Sequence, residues 1–156
     1  MPKVFKIGIT KNKNQEIQEA KEINLIAGKG IIGDRNFHEY NDGRNGDLHK
    51  DGRKQLTLIE SENIDYYNEK FNLKIPYLNF RRNIVTKGIK LNDLVSKKLI
   101  IGKTELRAID LCRPCKPLQK NLAQNNIIKE FLRKGGLRCE ILTSANIKVG
   151  DEIKVP

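Results

Sequence analysis

Apolar residues in this chain fall in short runs of period two, with helical spacing in only a few places. Lys3 to Thr10 alternates as a strand, Glu22 to Ala27 reads as a second, and the polar stretch from Gln15 to Lys21 between them reads as a connection or a short helical turn. Gln55 to Ile59 is a β-type run with Leu56, Leu58 and Ile59 apolar, and Phe80 to Thr86 is another, carrying Arg81 and Arg82 and closed by Lys87-Gly88. Lys98 to Ile101 and Thr104 to Ile109 flank Gly102-Lys103, a hairpin signal, and Leu137 to Thr143 and Ile147 to Val155 make two final strands. Helical spacing is confined to Glu60 to Phe71, a turn at Leu91 to Leu94, and the set Ile127, Ile128, Phe131 and Leu132 ahead of the stop at Gly135-Gly136. From Gly33 to Arg53 the chain is polar and rich in Gly, Asn, Asp and His, the composition of a long functional loop. Repeats, linkers and low-complexity segments are absent from the sequence. Many short strands with a few short helices predict a single mainly β domain over residues 1–156, of the β-rich α+β kind and barrel-like.

Composition narrows the class. The 156 residues are 38% hydrophobic and 31% charged, and no apolar run approaches the ~20 residues that span a bilayer, so a soluble domain without membrane contact is expected. The chain opens on a strand-like pattern with no apolar leader core, and its three cysteines, Cys112, Cys115 and Cys139, are an odd number without a disulfide framework. Both features predict a reducing, cytoplasmic setting. The net charge of +11 comes mostly from lysines spread along the whole chain, which looks like a composition bias rather than a nucleic-acid surface. Basic residues interleaved with aromatics, as single-strand binders use, are missing, and nucleic acid is not the expected partner. The field favours an anionic ligand without naming one.

Candidate chemistry concentrates in Leu111-Cys112-Arg113-Pro114-Cys115-Lys116-Pro117-Leu118. A thiol acts as nucleophile or metal ligand only as thiolate, and adjacent cations stabilise that form. The prolines predict a stiff loop. The Cys-x-x-Cys spacing admits a structural zinc site, for which only Cys139, His38 and His49 could complete four ligands. It also admits a redox dithiol, or a loop presenting one thiolate as soft ligand or sulfur acceptor; two ordinary loop cysteines are the plain alternative. Arg81-Arg82-Asn83 is the second constellation. Guanidinium forks suit phosphate or carboxylate, but neighbours on a strand face opposite sides, so only one arginine is expected in any one pocket. Asp34-Arg35 and Gly136-Leu137-Arg138 add cations after glycine turns, while His38 and His49 read as solvated loop residues outside the site. Gly28-Lys29-Gly30-Ile31-Ile32-Gly33 matches a dinucleotide-binding spacing, yet no helical pattern follows it, so it reads as a turn.

Taken in order, these segments resemble the MOSC domain, the C-terminal region of molybdenum-cofactor sulfurases, and in particular its small stand-alone bacterial members. The matching stretches are residues 30–35, 53–60, 81–95, 111–118 and 135–138. The resemblance implies a β-rich barrel-like fold and a function built on the molybdenum cofactor, an anionic pterin with a dithiolene and a phosphate tail. The family's signature cysteine falls on Cys115, which would be the catalytic thiolate and molybdenum ligand or sulfur carrier, with Cys112 beside it. Arg113 and Lys116 would favour the thiolate and attract the cofactor. Arg81 or Arg82, with Asn83 and Arg138, would hold phosphate and pterin edges, and Asp34 and Arg35 would form the rim. The implied activity is either reduction of N-hydroxylated small molecules, with an external electron donor, or sulfur transfer. A non-catalytic carrier handing the cofactor to an accepting enzyme is the alternative. Neither a pyridoxal-phosphate-dependent domain nor the cysteine spacing of an iron–sulfur cluster occurs in these residues, so no pyridoxal phosphate is expected in this chain.

Overall fold

The computed structural model describes residues 1–12, 15–37 and 55–156. Among them eleven strands and three helices follow the alternation of the sequence closely: β1 (Lys3–Ile9), β2 (Gln18–Ala20), β3 (Glu22–Ile26), β4 (Gly30–Ile31), β5 (Leu56–Glu60), α1 (Ser61–Lys70), β6 (Ile84–Lys87), β7 (Lys98–Ile101), β8 (Thr104–Leu111), α2 (Lys116–Leu122), α3 (Ile127–Glu130), β9 (Leu137–Ile141), β10 (Ala145–Lys148) and β11 (Ile153–Lys154). Turns of 3-10 helix at Tyr77–Phe80 and Leu91–Leu94 flank β6.

Eight strands form one sheet in the order β11-β7-β8-β9-β5-β6-β1-β2, and β10-β3-β4 form a second. In the large sheet β5 and β6 alone pair in parallel, because α1 lies in the connection between them; the other neighbours are antiparallel. The large sheet curls until β1, next to its last strand, meets the segment that leads into β11. Lys3 bridges Glu152, and Val4 N donates to Asp151 O at 2.9 Å while Gly150 N donates to Val4 O at 2.8 Å. The mainly β, barrel-like expectation is met.

Period-two alternation sorts side chains into two cores. Leu56, Leu58, Ile84, Leu106, Leu137, Cys139 and Ile141 point into the barrel. On the opposite face Ile59 and Val85 pack with Ile64 and Tyr67 of α1, Leu118 and Leu122 of α2, and Phe80 and Phe131, whose rings lie 4.8 Å apart. Each fully buried Leu or Ile contributes about 1.5–3 kcal/mol, so both faces of the sheet are needed.

Several boundaries depart from the sequence reading. Gln18–Ala20 is a strand because it pairs with Ile7–Ile9 at the edge of the sheet, a tertiary contact its polar pattern does not announce. The expected strand from Phe80 begins only at Ile84, since Arg81 closes the preceding 3-10 turn in the left-handed region at φ 64°. The segment from Ile147 to Val155 belongs to two strands, split by a turn at Gly150 with φ 94°. Helix α2 starts directly after Cys115, where the prolines predict loop; Pro117 sits in its first turn, where a missing N–H costs nothing. Most of the long polar loop, with His38, His49 and Arg53, lies outside the described residues. No helix among the described residues is long and apolar enough to cross a membrane.

Candidate functional site

The barrel's outer face carries a row of polar residues across three adjacent strands. Asp110 of β8 pairs in register with Arg138 of β9, which pairs with Thr57 of β5. A bulge between Ala108 and Asp110 adjusts the alternation of β8 there, and the Arg138 guanidinium closes a two-pronged ion pair on Asp110, with Nε donating to Oδ1 at 2.7 Å. From Thr57 the network continues to Asn83, just ahead of β6. Thr57 N and Oγ1 both donate to Asn83 Oδ1 at 3.1 Å, and Asn83 Nδ2 donates to Gly8 O at 3.2 Å and to Asp34 Oδ1 at 3.4 Å. Asp34 also accepts from the amides of Thr10 and Asn36. Asn83 and Asp34 are both buried, so this network ties three strands and the turn after β4 into a rigid floor.

Above it opens a cleft of about 630 Å³, whose wall includes Lys11, Arg35, Arg81, Arg82, Arg113 and Arg138. Among the described residues of this lining the one carboxylate is that of Asp34. Both Arg81 and Arg82 line the cleft, which corrects the expectation that only one could. Strand alternation does not apply to them, because the left-handed backbone at Arg81 turns its side chain to the same side as Arg82. Arg81 donates to Gln15 O at 2.8 Å. Burial first, and then the charge of Arg35, push the Arg81 guanidinium below its ordinary range, with Asp34 opposing. Arg82 donates from Nε to Gly135 O at 2.9 Å, and its charge acts on the Cys112 thiol.

The cysteine loop reaches this cleft through Cys112 and Arg113. Cys112 is buried, and its amide donates to Gly136 O at 2.7 Å. Burial pushes its thiol up, opposed by the charges of Arg82 and Arg138. Cys139 is enclosed in the barrel core, and its thiol is driven further up by the same cause. Cys115 is exposed and caps α2, its carbonyl accepting from Gln119 N at 3.1 Å. The structure thus brings Asp34, Arg35, Arg81, Arg82, Asn83, Arg113 and Arg138 to one cleft, and places Cys115 and Lys116 outside its lining. Lys11, Thr57, Cys112 and Asp110 belong to the same assembly but were not singled out in the sequence, except Cys112 as a neighbour. Thr57 and Asp110 could have been noticed from their places in, or next to, the matching stretches. Among the described residues no three of Cys, His, Asp and Glu gather as a metal-ligand set.

These exposures predict an order of reaction. Iodoacetamide at neutral pH should label Cys115 first, with Cys112 following only as pH rises towards its elevated titration range and Cys139 labelled only on unfolding. Peptide mapping by mass spectrometry reads this directly, and earlier labelling of Cys112 would contradict the structure.

Comparison with known proteins agrees with this architecture. The family model for the MOSC domain matches residues 44–154. Among solved structures, the YuaD protein from Bacillus subtilis is similar with a TM-score of 0.81 at 19% identity, covering 98% of this chain and 94% of its own. YiiM from Geobacillus stearothermophilus is similar at 0.77 and 14% identity, covering 100% and 75%. YiiM from Escherichia coli follows at 0.67 and 14% identity, covering 99% and 68%. At such identities these neighbours show the fold alone. No curated protein matches the chain.

Proposed function

The chain belongs to the MOSC domain family, and from that premise we propose that it binds the molybdenum cofactor, with the cofactor's phosphate in the arginine-lined cleft and the cysteine loop beside the metal. The observation that carries the reading is the cationic wall of the cleft: among the described lining residues Lys11 and five arginines accompany the one carboxylate of Asp34, with Arg138 also paired to Asp110 behind it, and Arg35 lies close enough to Arg81 to add to burial in disfavouring its charge. A multiply charged phosphate relieves that repulsion and accepts guanidinium forks. The donor set therefore fits the anionic part of the cofactor.

When bound, the cofactor would supply two-electron redox chemistry or a sulfur-bearing metal centre. The chain's own residues do the rest. Arg35, Arg81 and Arg82 bind the phosphate, and Arg138, held in place by Asp110, meets the pterin edge. Asn83 has both amide groups committed to Thr57, Gly8 and Asp34, so it positions the cleft floor. Cys115 is the thiol open to solvent, whereas burial in the cleft wall pushes the Cys112 thiol up and favours its protonated form. Two activities suit an exposed cysteine on the loop that reaches this cleft through Cys112 and Arg113: reduction of N-hydroxylated small molecules with an external electron donor, or sulfur transfer to a partner. Free thiols at Cys112, Cys115 and Cys139 suit a reducing cytoplasmic compartment.

Metal and pterin analysis of protein purified from a cofactor-producing host tests the reading. Molybdenum and pterin in equal amounts are expected, with pterin retained and molybdenum lost in Cys115→Ala. Stoichiometric zinc that disappears in Cys112→Ser would overturn it. Turnover of an amidoxime with an artificial reductant, abolished by Cys115→Ala, would separate an enzyme from a carrier.

A further inference from the structure

A second cleft, of about 680 Å³, shares Cys112 and Arg113 with the first. Its character is different. Val95, Leu111, Pro114, Ile128 and Leu132 supply an apolar lining, and among the described residues the first cleft has only Ile17 of comparable kind. Ile127 of α3 and Phe131 of the turn after it are buried in the outer core, while their chain neighbours Ile128 and Leu132 are 36% and 67% exposed. The volume and lining are those of a small-molecule pocket.

The polar side of this cleft is cationic. Asp110 reaches it, but both of its carboxylate oxygens accept from Arg138, so its charge is already met. Arg113 and Arg133 remain, and no ion pair among the described residues engages either guanidinium. Arg133 stands at a strained position. Its φ is 61°, in the left-handed region that disfavours a side chain, and Asn92 Nδ2 fixes the turn by donating to its carbonyl at 2.7 Å. The turn itself has no need of a guanidinium there. Two guanidiniums beside an apolar wall, with a paired carboxylate close by, suit a single negative charge better than the multiply charged phosphate that fits the first cleft. We propose that this cleft binds a small apolar carboxylate, with its charged group on Arg113 and Arg133 and its apolar body against Ile128 and Leu132. The site goes beyond the cofactor reading and does not rest on it.

Fluorine NMR of the full chain with 4-fluorobenzoate tests this, with pyrophosphate titrated separately as a probe of the first cleft. Saturable broadening of the fluorine signal is expected, with weaker binding of 4-fluorobenzyl alcohol, which lacks the charge, and of fluoroacetate, which lacks the apolar body. Arg133→Gly keeps the turn and removes the guanidinium. It should weaken the benzoate about tenfold, hardly change the alcohol and leave the melting temperature no lower. Ile128→Ser/Leu132→Ser should weaken both aromatic probes at least about tenfold and leave pyrophosphate binding unchanged, since both side chains are exposed. No binding of the benzoate, equal or tighter binding of 4-fluorobenzylamine, binding indifferent to the double replacement, or a loss on Arg133→Gly shared equally by the alcohol would each overturn the proposal. Benzoate binding as described with no pyrophosphate binding would support this pocket while removing the cofactor reading.

Discussion

Gly136→Ala is expected to cost at least about 3 kcal/mol of stability and to lower the melting temperature by about 6–12 °C in a domain of this size. A Cβ at this position would stand 1.8 Å from Leu58 O and 2.9 Å from Leu58 C, backbone atoms of β5 that cannot swing aside. The residue also has φ 100°, in the region open mainly to glycine. Gly28 separates the two causes. It has φ 77°, but a Cβ there meets nothing within 4 Å, so Gly28→Ala should show backbone strain alone, roughly 1 kcal/mol. Thermal unfolding of the two variants side by side decides the matter, and equal melting temperatures would remove the steric argument. Because Gly136 O receives the Cys112 amide, the folded fraction of Gly136→Ala should also show earlier iodoacetamide labelling of Cys112.

That glycine shows what a sequence discloses and what it withholds. Gly135-Gly136 reads as a helix stop, but α3 already ends at Glu130 and turns fill the residues between. The reason a side chain is impossible is a contact with β5, almost eighty residues earlier in the chain, and no local pattern carries it. The strands were legible because burial on alternate sides imposes period two, as in Leu137, Cys139 and Ile141 inside the barrel with Arg138 outside. The apolar spacing of Ile127 to Leu132 reads as helical, but the helix covers only Ile127–Glu130, and Phe131 is buried from the turn that follows. Helix α2 was hidden by prolines, one of which occupies the first turn where proline is tolerated.

The site divides along the same line. Residue types pointed to an anion: Arg35, Arg81, Arg82, Arg113 and Arg138 were all candidates from the sequence, and all five line one cleft. Their convergence depends on cross-strand register and on the left-handed turn at Arg81, which the alternation rule contradicts locally. Cysteine order was equally hard to read. Two thiols three residues apart look equivalent, yet one is sealed into the wall between two clefts and the other stands open at the start of a helix.

Removing both central arginines is the other substitution of large consequence. Arg81→Ala/Arg82→Ala should weaken pyrophosphate binding on the order of 10²- to 10⁴-fold, since each charge-assisted contact is worth about 1.5–3 kcal/mol. Isothermal titration at two salt concentrations measures this, and the affinity of the unaltered protein should itself fall with salt. Lys154→Ala controls for net charge: Lys154 sits 3.9 Å from Glu152 on β11, outside the cleft, and its loss should change affinity little. Arg82→Lys separates charge from geometry, because lysine keeps the positive field and loses the planar fork. A second readout follows from the thiol. The charge of Arg82 favours the Cys112 thiolate, so Arg82→Ala should move the onset of Cys112 alkylation to still higher pH. Pyrophosphate affinity unchanged in the double variant would mean that the cleft's positive charge serves some other end, and the phosphate site would have to be sought elsewhere on the chain.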